Sequence, residues 1–293
     1  KPDYFIHGDD WKTGIQKNQR KKVILSLKKN KGKLIEVPFT KNISSSEIKN
    51  KIVKFGITPD NRVSRLKRLM DTNKIVKILE SHNSLTGLII ENLKISKENS
   101  FSEFDGMWSS SLTDSATKGK PDNSSVDFSS RLAALNEMME VTTKLLVFDA
   151  DNGGQLEHLR FLLRSLERAG ASAIIMEDKI GLKKNSLFKN QSDAQQDKPE
   201  LFAKKIKLIC NSRKNKDFMV IARIESFILG KTLEDAISRA KAYVESGADG
   251  IMIHSKDKKG EDIKSFCKRF RKLNKDTPIV IVPSTYNHIK ESE

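Results

Sequence analysis

Cysteine is scarce: Cys210 and Cys267 are the only two in 293 residues, and neither sits in a Cys-x-x-Cys or Cys/His cluster. That excludes a disulfide-stapled scaffold and a structural zinc site, and it fits a reduced, cytoplasmic setting in which each thiol fills a helix face. Aromatic residues make up 6% of the chain and are not interleaved with its lysines. The formal charge of +16 is therefore spread out rather than gathered into the basic, aromatic-studded patch of a nucleic-acid binder. Lysine outnumbers arginine, which points to compositional bias, and no nucleic-acid partner is expected; a positive field still helps recruit small anions. No apolar run approaches the ~20 residues of a membrane span. The opening stretch KPDYFIHGDD is not a secretory signal. No membrane partner is expected either. The chain has no initiator Met, which we read as the sign of an internal fragment.

What is present is a rhythm. From residue 75 onward, short apolar runs alternate with amphipathic stretches: 75–81, 105–111, 144–151, 171–178, 218–225, 249–255 and 278–284. Between them lie helical patterns such as 156–170 and 233–247, which end in Ala-Gly and Ser-Gly, the expected stop before a buried parallel strand. Seven β/α units in a row predict an α/β fold of the (β/α)8 TIM-barrel type, with a doubly wound sheet as the alternative. The eighth strand is missing, and since a barrel lacking one strand would have two open edges, we read the C-terminus as truncated. The predicted division is a small α/β segment over 1–55, a linker and lead-in helix over 56–74, and the barrel over 75–293. Residues 21–40 read as helix, turn and strand. Residues 43–52 look like a capped helix start with Ser44, Ser45 and Ser46 at its N-terminus and Glu47 in its first turn. Residues 99–102 are expected to form a surface loop.

In a barrel the C-terminal strand ends face the active site. Here those ends carry Trp108-Ser109-Ser110-Ser111, Asp149-Ala150-Asp151, Glu177-Asp178-Lys179, Arg223-Ile224-Glu225 and His254-Ser255-Lys256. Carboxylates from neighbouring strands, with an Arg and a His opposite, suit a hard cation such as Mg²⁺ and an anionic phosphate or carboxylate.

Residues 177–186, EDKIGLKKNS, fit the pattern EDKxxxKxNS, which is similar to the defining motif of the phosphoenolpyruvate mutases in the isocitrate lyase superfamily. Trp108, Ser110, Leu112, the Asp149-Ala150-Asp151 triplet and Val220-Ile221-Ala222-Arg223 also fall where that family has its counterparts, so the resemblance spans residues 75–284. It implies a Mg²⁺-dependent enzyme of phosphonate biosynthesis that moves a phosphoryl group within phosphoenolpyruvate to give phosphonopyruvate. By resemblance, Asp149 would ligate Mg²⁺, with Asp122, Asp151 and Glu177 holding its waters. Ser110 with the backbone of Ser111 and Leu112 would grip the substrate carboxylate, and Trp108 would pack against it. Arg223 and His254 would neutralise the phosphoryl group, and Asn185 and Lys183, on a mobile loop, would contact it in transit. The superfamily's lyases carry a catalytic Cys in this loop; here it reads Lys183-Lys184-Asn185-Ser186, which points away from carbon–carbon cleavage. Phosphonopyruvate hydrolase, giving pyruvate and phosphate, is the alternative. Asn185 favours the mutase, since the hydrolase tends to have Thr there. The chain departs from the family in a shorter stretch after the Asp triplet and a longer one before the second strand. The family also implies a homo-oligomer.

The segment Phe5-Ile6-His7-Gly8-Asp9-Asp10-Trp11-Lys12, followed by Ser44-Ser45-Ser46, resembles the C-terminal part of a cytidylyltransferase domain. That would place Trp11 and Lys12 beside a nucleotide and the three serines at its phosphates. The HxGH motif of that family is absent, so CTP would be a partner only with a missing N-terminal half-domain, in a fused parent enzyme.

Overall fold

The computed structural model describes residues 2–38, 57–72, 75–97, 100–181, 183–186 and 194–290. It divides into two compact units, residues 1–55 and 56–293. The predicted helix start at Ser44–Ser46 lies outside the described residues.

In the small unit, β1 (Tyr4–Gly8) and β2 (Lys33–Val37) are parallel neighbours, joined through α1 (Lys17–Asn30). The helix ends at Lys31, which adopts the left-handed conformation (φ 56°), so that Gly32 N–H reaches back to Leu27 O. The helix–turn–strand expected over 21–40 is thus present. The indole of Trp11 is buried: it stacks on His7, with ring centroids 3.8 Å apart, and donates to Glu36 Oε1 at 2.8 Å. Arg20 grips the same carboxylate through Nε and Nη2, at 2.7 and 3.0 Å.

The large unit opens with two short helices, α2 (Pro59–Val63) and α3 (Arg65–Thr72), in the predicted lead-in. Among its described residues, seven parallel strands form one sheet: β3 (Ile78–Glu80), β6 (Gly106–Ser109), β7 (Leu145–Asp149), β8 (Ala173–Glu177), β11 (Met219–Ile224), β12 (Gly250–Ile253) and β13 (Ile279–Val280). They stand side by side in chain order, as successive β/α units require, and each of the seven apolar runs contains one of them. The sheet curls in the manner of a TIM-type barrel, with β3 and β13 as its outer strands.

The helices α4 (Ser84–Asn92), α5 (Ser111–Thr117), α6 (Phe128–Val141), α7 (Leu156–Ala169), α8 (Pro199–Ser212), α9 (Leu233–Glu245) and α10 (Glu261–Leu273) alternate with the strands. None of the described helices is long and apolar enough to cross a membrane. One expectation fails: Ser100–Glu103 is not part of a loop over 99–102 but strand β5, paired antiparallel with β4 (Lys94–Lys97). A polar β-hairpin lacks the apolar run by which the other strands are recognised, so composition alone made it look like a loop. Two further short strands among the described residues, β9 (Lys179–Ile180) and β10 (Gln195–Gln196), pair antiparallel just beyond β8.

The core has two layers, and strand alternation sorts residues between them. Leu145, Val147, Ala173, Ile175, Met219, Ile221 and Met252 point to the concave side, where Leu66 of α3 covers the ends at which the strands begin. Their neighbours Leu146, Phe148, Ile174, Met176, Val220, Ala222, Ile251 and Ile253 face the helices. Because side chains alternate with a period of two, the same rows determine which polar residues beyond the strands reach the concave side.

Candidate active site

Continuing the inward-facing rows by one step gives Asp149 after Leu145 and Val147, Glu177 after Ala173 and Ile175, Arg223 after Met219 and Ile221, and His254 after Met252. Glu177 and Arg223 are register partners on adjacent strands, and Arg223 Nη2 lies 3.4 Å from Glu177 Oε2 and 3.2 Å from His254 Nδ1. Arg223 Nη1 is 3.9 Å from Asp149 Oδ2. Four residues expected at the site are therefore brought together by strand periodicity and register.

The same alternation sends Asp178 and Ser255 the other way. Asp178 faces the helix layer, where Oδ2 accepts from Tyr243 Oη at 2.7 Å, Gln196 Nε2 at 2.9 Å and Arg239 Nη1 at 3.1 Å. Ser255 donates to Asp262 Oδ2 at 2.6 Å. Both belong to the packing behind the strands, a correction to their place among the strand-end residues expected at the site.

Asp151 follows β7 in the left-handed region (φ 52°), a conformation Asp tolerates better than most side chains, and its N–H donates to Asp149 Oδ1 at 3.0 Å. The turn brings Asp151 back to the site, where its carboxylate meets the ammonium of Lys183. Lys183 also donates to Asp122 Oδ1 at 2.5 Å and to Ser111 Oγ at 2.6 Å. Asn185 Nδ2 donates to the other oxygen of Asp122 at 3.3 Å. Lys183 and Asn185, beyond β8, thus reach across the site to Asp122, Asp151 and Ser111, which follows the end of β6. There Ser110 caps α5, its Oγ accepting from Leu112 N–H at 3.2 Å. Trp108 packs against the concave-side core. A small cleft remains between Asp151, Glu177, Lys179 and Lys183.

Three residues in this network had been placed by sequence without a role. Glu225 takes Arg223 Nε at 2.6 Å on Oε1 and Ser186 Oγ at 2.6 Å on Oε2. Lys179 Nζ donates to Ser186 Oγ at 2.8 Å and to Lys184 O at 2.9 Å, pinning the loop on either side of Asn185. Ser186 Oγ also accepts from Arg223 Nη2 at 2.9 Å. The signal for all three was their place inside EDKxxxKxNS or two residues after Arg223.

Burial pushes the Glu177 carboxyl up to about 8, with Glu225 and Asp149 adding to the rise and Arg223 opposing it. Asp149 is raised as well, by burial and by Asp151. Glu225 goes the other way: burial would raise it, but Arg223, Lys179 and His254 outweigh that and hold it at about 2. Burial and the neighbouring Arg223 lower His254 to about 4, so its ring is neutral near pH 7. Its Nε2 is buried and has no hydrogen-bond partner among the described residues.

The donor set fits a divalent cation. Among the described residues, five carboxylates (Asp122, Asp149, Asp151, Glu177 and Glu225) are ion-paired to three cations (Lys179, Lys183 and Arg223), so within these pairs the negative charges exceed the positive by two when all are ionised. A bound divalent ion would cancel that surplus and reverse the upward shifts of Asp149 and Glu177. As the side chains stand, no three acidic, His or Cys residues among those described are grouped closely enough to hold a metal ion, and Lys183 pairs with Asp151 and Arg223 with Glu177.

In the small unit, Trp11 is a core residue, while Lys12 Nζ lies 3.7 Å from Glu36 and 3.9 Å from Asp9.

Comparison with known proteins gives a consistent result. The family model described as phosphoenolpyruvate phosphomutase matches residues 66–293. Phosphoenolpyruvate phosphomutase of Tetrahymena pyriformis is 33% identical over 231 residues, covering 78% of this chain and 72% of that protein. The crystal structure of phosphoenolpyruvate phosphomutase from Streptomyces platensis subsp. rosaceus superposes with a TM-score of 0.71 at 31% identity, over 79% of this chain and 76% of that one. Phosphonopyruvate hydrolase in complex with oxalate and Mg²⁺ superposes at 0.69 with 30% identity, over 80% of this chain and 76% of that one. The chain belongs to the phosphoenolpyruvate phosphomutase family and is an enzyme of that family.

Proposed function

We propose, with that membership as premise, that the large unit interconverts phosphoenolpyruvate and phosphonopyruvate by Mg²⁺-dependent intramolecular phosphoryl transfer. The observation that carries the reading is the acidic cluster beneath Lys183 and Asn185, which lie together against Asp122. Mg²⁺, held by Asp149 with Asp151, Glu177 and Asp122, would supply charge neutralisation. Ser110, Ser111 and the backbone around Leu112 would orient the substrate carboxylate, with Trp108 packed beside it.

The phosphoryl group must leave the enol oxygen and be captured by carbon three of the same molecule, so one P–O bond breaks and one P–C bond forms. Such transfer is loose and metaphosphate-like, and catalysis consists mainly of positioning and charge neutralisation. The guanidinium of Arg223 stays protonated, since Glu225, Glu177 and Asp149 outweigh the effect of its burial and raise its value. It can therefore carry the phosphoryl charge throughout. His254 is neutral near pH 7, and its buried Nε2, which has no hydrogen-bond partner among the described residues, can bond a phosphoryl oxygen. Asn185 offers an amide, which orients the phosphoryl without acting as a strong base. Water must be kept out meanwhile, because capture by water yields pyruvate and phosphate.

That side reaction defines the second reading, phosphonopyruvate hydrolase, which is supported by the likeness to the hydrolase structure. Incubation with phosphonopyruvate and Mg²⁺ distinguishes them: phosphoenolpyruvate is the expected product, and pyruvate with free phosphate would overturn the mutase reading. The resemblance of Phe5–Lys12 to a cytidylyltransferase extends the proposal to a fused, CTP-using parent in phosphonate biosynthesis. A homo-oligomer, testable by light scattering, is part of the same reading.

A further inference from the structure

One buried ion pair near the site has no part in the assignments above. Arg131 of α6 and Asp114 of α5 are both almost wholly inaccessible. Arg131 Nε donates to Asp114 Oδ2 at 2.8 Å, and Nη2 donates to the carbonyl of Ser109 at 3.2 Å. The guanidinium carbon lies 4.3 Å from the centroid of the Phe148 ring. Ser109 Oγ completes the group by donating to Asp114 Oδ2 at 3.2 Å.

A buried ion pair is a poor device for stability alone, because desolvating two charges consumes most of what their attraction returns, and apolar replacements are often as stable. This pair is also incompletely satisfied. Among the described residues, Arg131 Nη1 and Asp114 Oδ1 are buried without hydrogen-bond partners. Its geometry suggests another purpose. Ser109 and Phe148 are register partners at the ends of β6 and β7, and Arg131 touches both. The residue after Ser109 is Ser110, just past β6, and the residue after Phe148 is Asp149, the last of β7.

We propose that Arg131 and Asp114 are positioning residues, which hold the end of β6, and with it Ser110 and Ser111 that follow, in fixed relation to Asp149, so that one bound carboxylate can meet both. This rests on the function proposed above. It requires neither side chain to touch the substrate.

The test is oxalate binding by the full chain in the presence of Mg²⁺, measured by titration calorimetry alongside thermal melting and phosphonopyruvate turnover. Arg131→Met/Asp114→Leu replaces the pair with apolar groups and is expected to fold while binding oxalate about 100-fold more weakly, the scale of a small misplacement in a preorganised site. Arg131→Lys keeps a charge near Asp114 but loses the fork to Ser109 O and the contact with Phe148. It is expected to melt close to wild type with oxalate binding weakened about tenfold, and it carries the test if the double variant does not fold. A structural role alone would move melting and leave oxalate affinity untouched. If wild type binds oxalate and turns over phosphonopyruvate while the folded variants bind oxalate as tightly, the positioning inference fails and the functional reading stands. If wild type itself neither binds oxalate with Mg²⁺ nor turns over phosphonopyruvate, the functional reading fails first and takes the inference with it.

Discussion

The ammonium of Lys183 lies 2.5 Å from Asp122 Oδ1 although 61 residues separate them in the chain. This contact, with those to Asp151 and Ser111, ties the loop after β8 to three other segments of the site. Burial acts to lower the Lys183 value, but Asp151, Asp149 and Asp122 outweigh it and raise it, so the lysine is charged and the contact is a charge-assisted one.

Lys183→Ala should therefore release the loop. Turnover of phosphonopyruvate is expected to fall about 100-fold, the scale seen when one charge-stabilising donor is removed from an active site. Because the loop would exclude water less well, the share of product appearing as pyruvate and phosphate should rise. Product analysis by ³¹P NMR checks both, and an unchanged rate and product ratio would remove the loop from the mechanism.

Asp149→Ala tests the metal reading. Turnover is expected to fall by about 1,000-fold or more, equivalent to ~4 kcal/mol of barrier, with the circular dichroism spectrum retained. Wild type stripped with EDTA should gain thermal stability on Mg²⁺ addition, by about 2.7 kcal/mol at a hundred times the dissociation constant. The variant should lose that gain. Retained turnover in Asp149→Ala would refute the metal assignment.

Tyr243→Phe probes the network behind the strands. The hydroxyl donates to Asp178 and accepts from Arg239, at 2.7 and 3.1 Å, so its loss should cost about 1–2 kcal/mol of stability. Since this network faces the helices, KM and kcat should stay near wild type. A large change in kcat with unaltered melting would show that Asp178 does serve the chemistry.

The small unit offers a pH test. Hydrogen bonding from Arg20 is the largest cause that holds Glu36 at about 2, below the 4.5 of an ordinary glutamate. A depressed carboxylate contributes stability that is fully present above about 4.5 and is lost as pH falls through about 2. The Trp11 indole N–H resonance, which reports the bond to Glu36 Oε1, should hold its native position at about pH 3.5, where a free glutamate is mostly protonated. In Glu36→Gln the same resonance should be displaced at every pH. Loss of the native signal near the ordinary glutamate value in wild type would contradict the assignment.

Much of the large unit was legible because its signals are local. The run at 144–151 contains Leu145–Asp149, and the helix pattern at 156–170 contains Leu156–Ala169, since a buried parallel strand leaves a continuous apolar run and an amphipathic helix an apolar residue every three or four positions. The residues at the strand ends were legible too, by position and by likeness to a known motif. Period-two alternation, followed a step further, would also have separated inward-facing Glu177 from helix-facing Asp178. The polar hairpin of β4 and β5 left no apolar record and was missed. Arg131 was detectable only as an anomaly: it sits among Phe128, Leu135 and Met138 on the core face of α6, where a charge needs a buried partner.

The amino-acid sequence by itself determined the order of strands and helices and the chemical types at the strand tips, because hydrophobic periodicity is a property of neighbouring residues. Only the tertiary structure decided that Lys183 meets Asp122, that Arg223 is gripped by Glu225 as it faces Glu177, and that Arg131 spans Ser109 and Phe148. Pairings between distant segments depend on sheet register and loop path, which arise from the packing of the whole unit and have no signature in a short stretch of chain.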